Sequence, residues 1–256
     1  MIDTHAHIQK SEYEDYDKVV LDAINEGVEK IICVGFDIAS SIEAVEVANK
    51  YESVYAVIGI HPSEVENVDE NYIETLKNLA KNKKVVAIGE IGFDYHFEPY
   101  NKELQKKIFV EQIKCAHSLN LPICIHSRDA TKDLLDTLNE NKEYLTNGGV
   151  LHCFGESVET FNIIKKYNFK ISIGGVLTYK NARNVQNAIL NIPLEYIMLE
   201  TDSPWLTPEP YRGKCKNEPK YVKYVLEKLA EIKNAPIKEV EEITTKNAYE
   251  LFKFKD

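Results

Sequence analysis

Ile2-Asp3-Thr4-His5-Ala6-His7 opens the chain, and its reading decides the fold. His5 and His7 stand at i and i+2 on an extended segment. Alternate side chains of a strand share a face, so both imidazoles can reach one point in space. Ligation of a single metal ion requires that convergence. An open doubly wound sheet usually carries a glycine-rich fingerprint after its first strand. Here the first strand runs into two histidines instead.

Working outward, short apolar and β-branched runs recur at residues 1–3, 30–36, 54–60, 85–89, 122–125, 149–153, 170–173 and 196–200. Several are continuously hydrophobic, as Ile31-Ile32-Cys33-Val34 is, which suits strands covered on both faces. Amphipathic stretches lie between them, at 16–25, 41–50 and 103–119 for example. Asn234-Ala235-Pro236 opens a last helix with Ile237, Val240, Ile243 and Leu251 on one stripe, its proline in the first turn. Eight strands alternating with eight helices predict an α/β protein, a closed (β/α)8 TIM barrel forming one domain over residues 1–256.

A chain of 256 residues, 44% hydrophobic and 28% charged, can bury a large core and has no composition of disorder. It shows neither a run of eighteen apolar residues nor a basic-then-apolar leader. The expectation is a soluble, cytoplasmic monomer with no membrane association. Five scattered cysteines without a Cys-x-x-Cys pair read as reduced, buried thiols. A net charge of -10 argues against a protein that coats nucleic acid non-specifically. It leaves room for an enzyme that grips a few phosphates.

In such a barrel the chemistry sits at the C-terminal ends of the strands. Strand one ends in Asp3, His5 and His7, and strand three runs into His61-Pro62. Strand four leads to Glu90 and Asp94, strand five to His126-Ser127-Arg128, strand six to His152-Cys153, and strand eight to Glu200-Thr201-Asp202. Five of the seven histidines therefore share one rim, with only His96 and His117 elsewhere. Imidazoles and carboxylates without thiolate suit zinc, manganese, iron, nickel or magnesium. Four imidazoles and two carboxylates suit a pair of divalent cations sharing a carboxylate, and Glu90 is the natural bridge. Glu200 and Asp202 share a face; the one nearer the rim, Asp202, is expected to ligate and Glu200 to support. Asp3, deeper in the strand, is expected to orient a ligand imidazole. His61 reads as either a turn residue or a substrate contact.

Of 31 basic residues only Arg128, Arg183 and Arg212 are arginine, and all three fall on loops or first helical turns of that rim. The guanidinium fork suits phosphate oxygens, so a polyanionic substrate is expected. Tyr95, Tyr179, Trp205 and Tyr211 lie on the same loops and could stack on bases.

The runs from Ile2 to His7, Gly59-Ile60-His61-Pro62, Gly89-Glu90-Ile91-Gly92-Phe93-Asp94, Ile125-His126-Ser127-Arg128, Leu151-His152-Cys153-Phe154 and Glu200-Thr201-Asp202-Ser203-Pro204 closely resemble the TatD family of metal-dependent deoxyribonucleases. The likeness continues through Tyr211-Arg212-Gly213, Asn217-Glu218-Pro219 and Ile243-Thr244-Thr245-Lys246-Asn247, in order along the whole chain. Phe93 stands where leucine is common, and Cys215-Lys216 is inserted before Asn217. The resemblance implies an amidohydrolase-type barrel with His5, His7, Glu90 and Asp202 on one ion and Glu90, His126 and His152 on the other. A glutamate at 90, in place of a modified lysine, favours TatD over phosphotriesterase-like or dihydroorotase-like chemistry.

The activity expected is hydrolysis of DNA phosphodiesters, from the ends of single-stranded or damaged strands, with Glu90 and Asp202 as catalytic residues. His61, Arg128, Arg212 and Tyr95 are the expected substrate contacts, and Asp3, Asp94 and Glu200 support the ligands. The alternative is a two-metal hydrolase of another ester or amide, such as a D-aminoacyl-tRNA deacylase.

Overall fold

Strands rich in Ile and Val on both faces need cover on both sides, and the protein obtains it by closing its sheet around a filled interior. A computed structural model describes residues 1–254. Its strands are β1 (Ile2–Ala6), β2 (Lys30–Val34), β3 (Val54–Ile58), β4 (Val85–Asp94), β5 (Ile123–Arg128), β6 (Gly149–Leu151), β7 (Phe169–Ile173) and β8 (Ile197–Leu199). All neighbours pair in parallel and in chain order. The helices are α1 (Tyr16–Asn25), α2 (Ile38–Lys50), α3 (Tyr72–Leu79), α4 (Lys102–Leu119), α5 (Thr131–Glu140), α6 (Val158–Ile164), α7 (Arg183–Asn191), α8 (Val222–Lys233) and α9 (Ile237–Phe252). No helix among the described residues is long and apolar enough to cross a membrane.

Strand alternation splits the core in two. Ile32, Val34, Val57, Cys124, Val150 and Met198 pack together inside the barrel. Their neighbours Ile31, Cys33, Ile58, Ile125 and Ile171 pack outward beneath the helices. The barrel carries nine α-helices among the described residues rather than eight. Asn234 takes the left-handed conformation that ends α8, and Pro236 stands at the cap of α9 rather than in its first turn. The buried face of α9 also differs from the expected stripe, since Ile237 is exposed. Its Ala248, Leu251 and Phe252 join the interior cluster with Ile2 and Tyr55, closing the N-terminal end. Asn247 fastens it there, its Nδ2 donating to the carbonyls of Leu194 (2.7 Å) and Ile197 (2.8 Å).

Three features at the other end position the site. β1 advances from Asp3 to Ala6 while β2 advances only from Ile31 to Cys33, a bulge that breaks the alternation. β4 does the same between Ile88 and Ile91 against β5, at the level of Glu90. Above this bulge β4 continues to Asp94, well past the expected end at residue 89, because it pairs with β5 up to Arg128. Gly92 permits that pairing: its φ is +142°, and a Cβ there would stand 2.0 Å from the His126 carbonyl oxygen. The third feature is the seam between β8 and β1. It closes beyond the strands, where the Asp202 N–H donates to the His5 carbonyl (2.9 Å) and the His7 N–H to that of Ser203 (2.7 Å).

All five cysteines are free. Cys33, Cys115 and Cys124 are buried as expected, whereas Cys153 is only partly covered and Cys215 is exposed.

With stability at one end and chemistry at the other, Phe252→Ala should lower unfolding free energy by about 3–5 kcal/mol without changing the metal content of the folded protein. Urea titration and elemental analysis check this; metal lost in proportion to stability would contradict the division.

Candidate metal centre

The bulge in β1 turns His5 and His7 inward together, and their Nε2 atoms lie 3.2 Å apart. Glu90 Oε2 stands 3.4 Å from the first and 3.7 Å from the second. The seam delivers Asp202, whose Oδ1 is 3.8 Å from His5 Nε2 and 3.7 Å from His7 Nε2. The other Glu90 oxygen belongs to a second group. Oε1 lies 2.8 Å from His126 Nδ1 and 2.7 Å from His152 Nε2, and these nitrogens are 3.2 Å apart. One carboxylate thus faces two clusters of donors, one with each oxygen.

The donor sets fit cations. Atoms bound at about 2.0–2.1 Å to one ion lie roughly 3.0–3.4 Å from one another, close to the spacings found. Tautomers argue the same way. His7 Nδ1 lies 2.9 Å from the Val34 carbonyl oxygen, which can only accept. Nδ1 therefore carries a proton, and whenever the ring is neutral its Nε2 lone pair faces two carboxylates. Lone pairs facing lone pairs in a buried cup call for a positive ion. His126 is held likewise, its Nε2 3.0 Å from Asp94 Oδ2, leaving Nδ1 for the cluster.

Burial alone would raise the Glu90 carboxyl, but His152, His61 and His126 hold it well below the usual carboxylate range. Asp202 is lowered too, burial being outweighed by His7, His5 and His152. His152 sits well above the ordinary histidine range: burial opposes this, and Glu90 and Glu200 overcome it. His126 is raised against burial by Asp94 and Glu90, whereas burial and the neighbouring His152 lower His5.

The supporting residues divide. Asp94 orients His126 as described. Glu200 stands 3.7 Å from His152 Nδ1, an electrostatic rather than hydrogen-bonding distance, and accepts from the Cys153 N–H (2.7 Å) and the Ser172 hydroxyl. Asp3 departs from expectation. The bulge puts it out of phase with His5 and His7, so it orients no imidazole. Its carboxylate accepts from the Thr201 N–H (2.9 Å) and hydroxyl (2.6 Å) and from the His5 N–H (3.3 Å), tying β1 to the seam.

His61 reaches the centre, its Nε2 3.6 Å from Glu90 Oε1. Its Nδ1 accepts from the Ser63 N–H (3.1 Å), so the proton of the neutral ring is on Nε2 and faces the cup. Burial lowers its pKa to about 3, keeping the ring neutral. It is placed as a donor to a bound oxygen rather than as a bare ligand nitrogen.

Tyr95 does not face the mouth. Glu90 and Asp94 point inward, so Tyr95 points out, stacked on Tyr100 with its hydroxyl 2.8 Å from Asp133. Tyr179 is buried under Arg212 and Tyr211 stacks on Tyr221. Trp205 does stand open, edge-on to His7 with ring centroids 5.0 Å apart. Arg128, Arg183 and Arg212 are exposed on the rim, and among the described residues none pairs with a carboxylate within 4 Å. His117 packs on Tyr144 within the helical layer, but His96 turns out to be on the rim, 2.8 Å from Asp129.

Known proteins resemble this chain over its whole length. The model of the family described as TatD related DNase matches residues 2–253. The chain belongs to the TatD family. It is 43% identical to YabD, an uncharacterised metal-dependent hydrolase of Bacillus subtilis, over 99% of each chain. It is 35% identical to YcfH of Escherichia coli K12, described in the same words, over 98% of this chain and 95% of that one. The crystal structure of the TatD homologue YjjV from E. coli K12 superposes with a TM-score of 0.92 at 30% identity, covering 100% of this chain and 98% of the other. This TatD-family protein is accordingly a metal-dependent hydrolase on a TIM barrel.

Because Glu90 serves both clusters, Glu90→Ala should deplete cations from each, while His126→Ala should spare the His5–His7 cluster; elemental analysis after dialysis distinguishes them. Protons compete with metal at the nitrogens. His126 and His152 hold theirs to higher pH than His5 does. Lowering pH from about 8 to about 5 should therefore strip the Oε1 cluster first, seen as two steps of metal loss in equilibrium dialysis.

Proposed function

We propose that this hydrolase is a deoxyribonuclease cleaving DNA phosphodiesters from the ends of single-stranded or damaged strands, acting as a monomer in the cytoplasm. The observation that carries the reading is a shared carboxylate between two donor clusters, with three exposed arginines on the same rim that, among the described residues, pair with no carboxylate. The inner and supporting carboxylates Glu90, Asp202, Asp94 and Glu200 carry a formal charge of -4, which a pair of divalent cations balances.

Bound divalent cations of this kind supply Lewis acidity toward water and toward phosphoryl oxygens. His5, His7, Glu90 and Asp202 would hold one and Glu90, His126 and His152 the other. Asp202 is the general base. Its carboxylate is ionised and partly open to the mouth, so it can take the proton of the attacking water. His61 donates from Nε2 to a phosphoryl oxygen. Arg128 and Arg212 offset the charge growing on the phosphate as the bond to the leaving oxygen stretches. Free cysteines throughout are in keeping with a reducing compartment.

Single-stranded DNA should be shortened in Mg²⁺ or Mn²⁺ and left whole in EDTA, and Asp202→Asn should cut kcat by about 10²–10⁴-fold. Digestion indifferent to both changes would end the nuclease reading. Turnover of an aminoacyl ester in preference to a nitrophenyl phosphodiester would favour the deacylase alternative.

A further inference from the structure

Beside the metal centre lies a cleft of about 490 Å³ that the chemistry above does not use. The 3-10 helix Pro62–Asn67, which follows His61, forms one wall, and the loop from Asp94 to Asn101 forms the other. It adjoins the Oε1 cluster, since Asp94, which holds His126, is part of its lining. Pro62, Val65, Phe97 and Pro99 make its apolar surface. Phe97 is 69% exposed, so one face of its ring is open to a ligand. Its ring carries the Arg128 guanidinium, 5.1 Å from the centroid, and the His96 ring edge-on at 4.7 Å. His96 is in turn paired with Asp129, so the loop is braced against the end of β5.

An exposed aromatic ring backed by an arginine is a platform for another flat ring, and stacking of this kind tolerates any base. The charged groups lining the cleft are Glu66, Glu98 and Asp94, all acceptors. They repel a phosphate and suit the exocyclic amino groups of cytosine or adenine. We propose that this cleft is the base pocket for the nucleotide next to the scissile phosphate, with Phe97 as its stacking face, Arg128 holding the adjoining phosphate outside it, and amino-bearing bases favoured over thymine. The inference rests on the nuclease reading for its placement of the phosphate. The pocket itself can be tested without that reading.

The test is equilibrium binding to the full, metal-loaded chain by calorimetry, comparing dCMP with deoxyribose 5-phosphate. Both carry the same phosphate, so the difference is the base. The nucleotide should bind about tenfold more tightly. Phe97→Ala should abolish that advantage while leaving the sugar phosphate unchanged, Phe97→Trp should preserve it, and dTMP should bind more weakly than dCMP. Equal affinity of dCMP and deoxyribose 5-phosphate in the wild type, or an advantage that survives Phe97→Ala, would overturn the pocket. Deoxycytidine alone separates the two ideas. Its Phe97-dependent binding, followed by NMR shifts, supports the pocket even in a protein that cuts no DNA, and absence of binding refutes it.

Discussion

A carboxylate only 4% exposed near the axis of a barrel, as Glu90 is, survives ionised only where something answers its charge. Five imidazoles stand within 4 Å of it: His5 and His7 on one oxygen, His126, His152 and His61 on the other. Protonated rings can answer that charge, and so can cations. His7, its Nδ1 held on the Val34 carbonyl, keeps Nε2 turned toward the Oε2 side, where a cation can take its lone pair. Most other choices in the cup follow from keeping this one group charged and shared. Asp94 orients a ring, Glu200 stands behind another, and His61 is kept neutral by burial.

Backbone irregularity makes that arrangement possible. A regular strand would alternate its side chains from end to end, and β1 would then aim Asp3 with His5 and His7 into one place. The extra residue between Asp3 and Ala6 separates the two jobs: two rings turn to the cup, and the carboxylate turns to the seam. The corresponding irregularity in β4 sets Glu90 across from them, and Gly92 lets the strand continue close against β5 so that Asp94 can reach His126. Precision is obtained here from two departures from ideal pleating.

Much of this was readable beforehand, for physical reasons. Histidines placed just after apolar runs identify strand ends, and a barrel brings strand ends together, so the five rim histidines and Glu90 followed from spacing. What escaped the sequence were phase and pairing. Asp3 shares the parity of His5 on paper and loses it at a bulge that no residue type announces. Tyr95 looked available until the longer β4 fixed its direction outward. His96 lay in a loop whose path depends on Asp129, thirty-three positions away. Phe97 gave a weak signal, an aromatic residue in a Glu-Pro loop directly after the Glu90 motif. The α8 and α9 boundary needed the left-handed Asn234 to be recognised as a stop.

The seam between β8 and β1 has a bearing on how the protein comes into being. Asp202 closes the ring of strands with its main chain and completes the donor set with its side chain, some two hundred positions after His5. The histidines of β1 must wait for almost two hundred further residues before their cup exists. Closing the ring and completing the His5–His7 donor set are thereby one and the same event, so an unclosed barrel offers those two rings no Asp202.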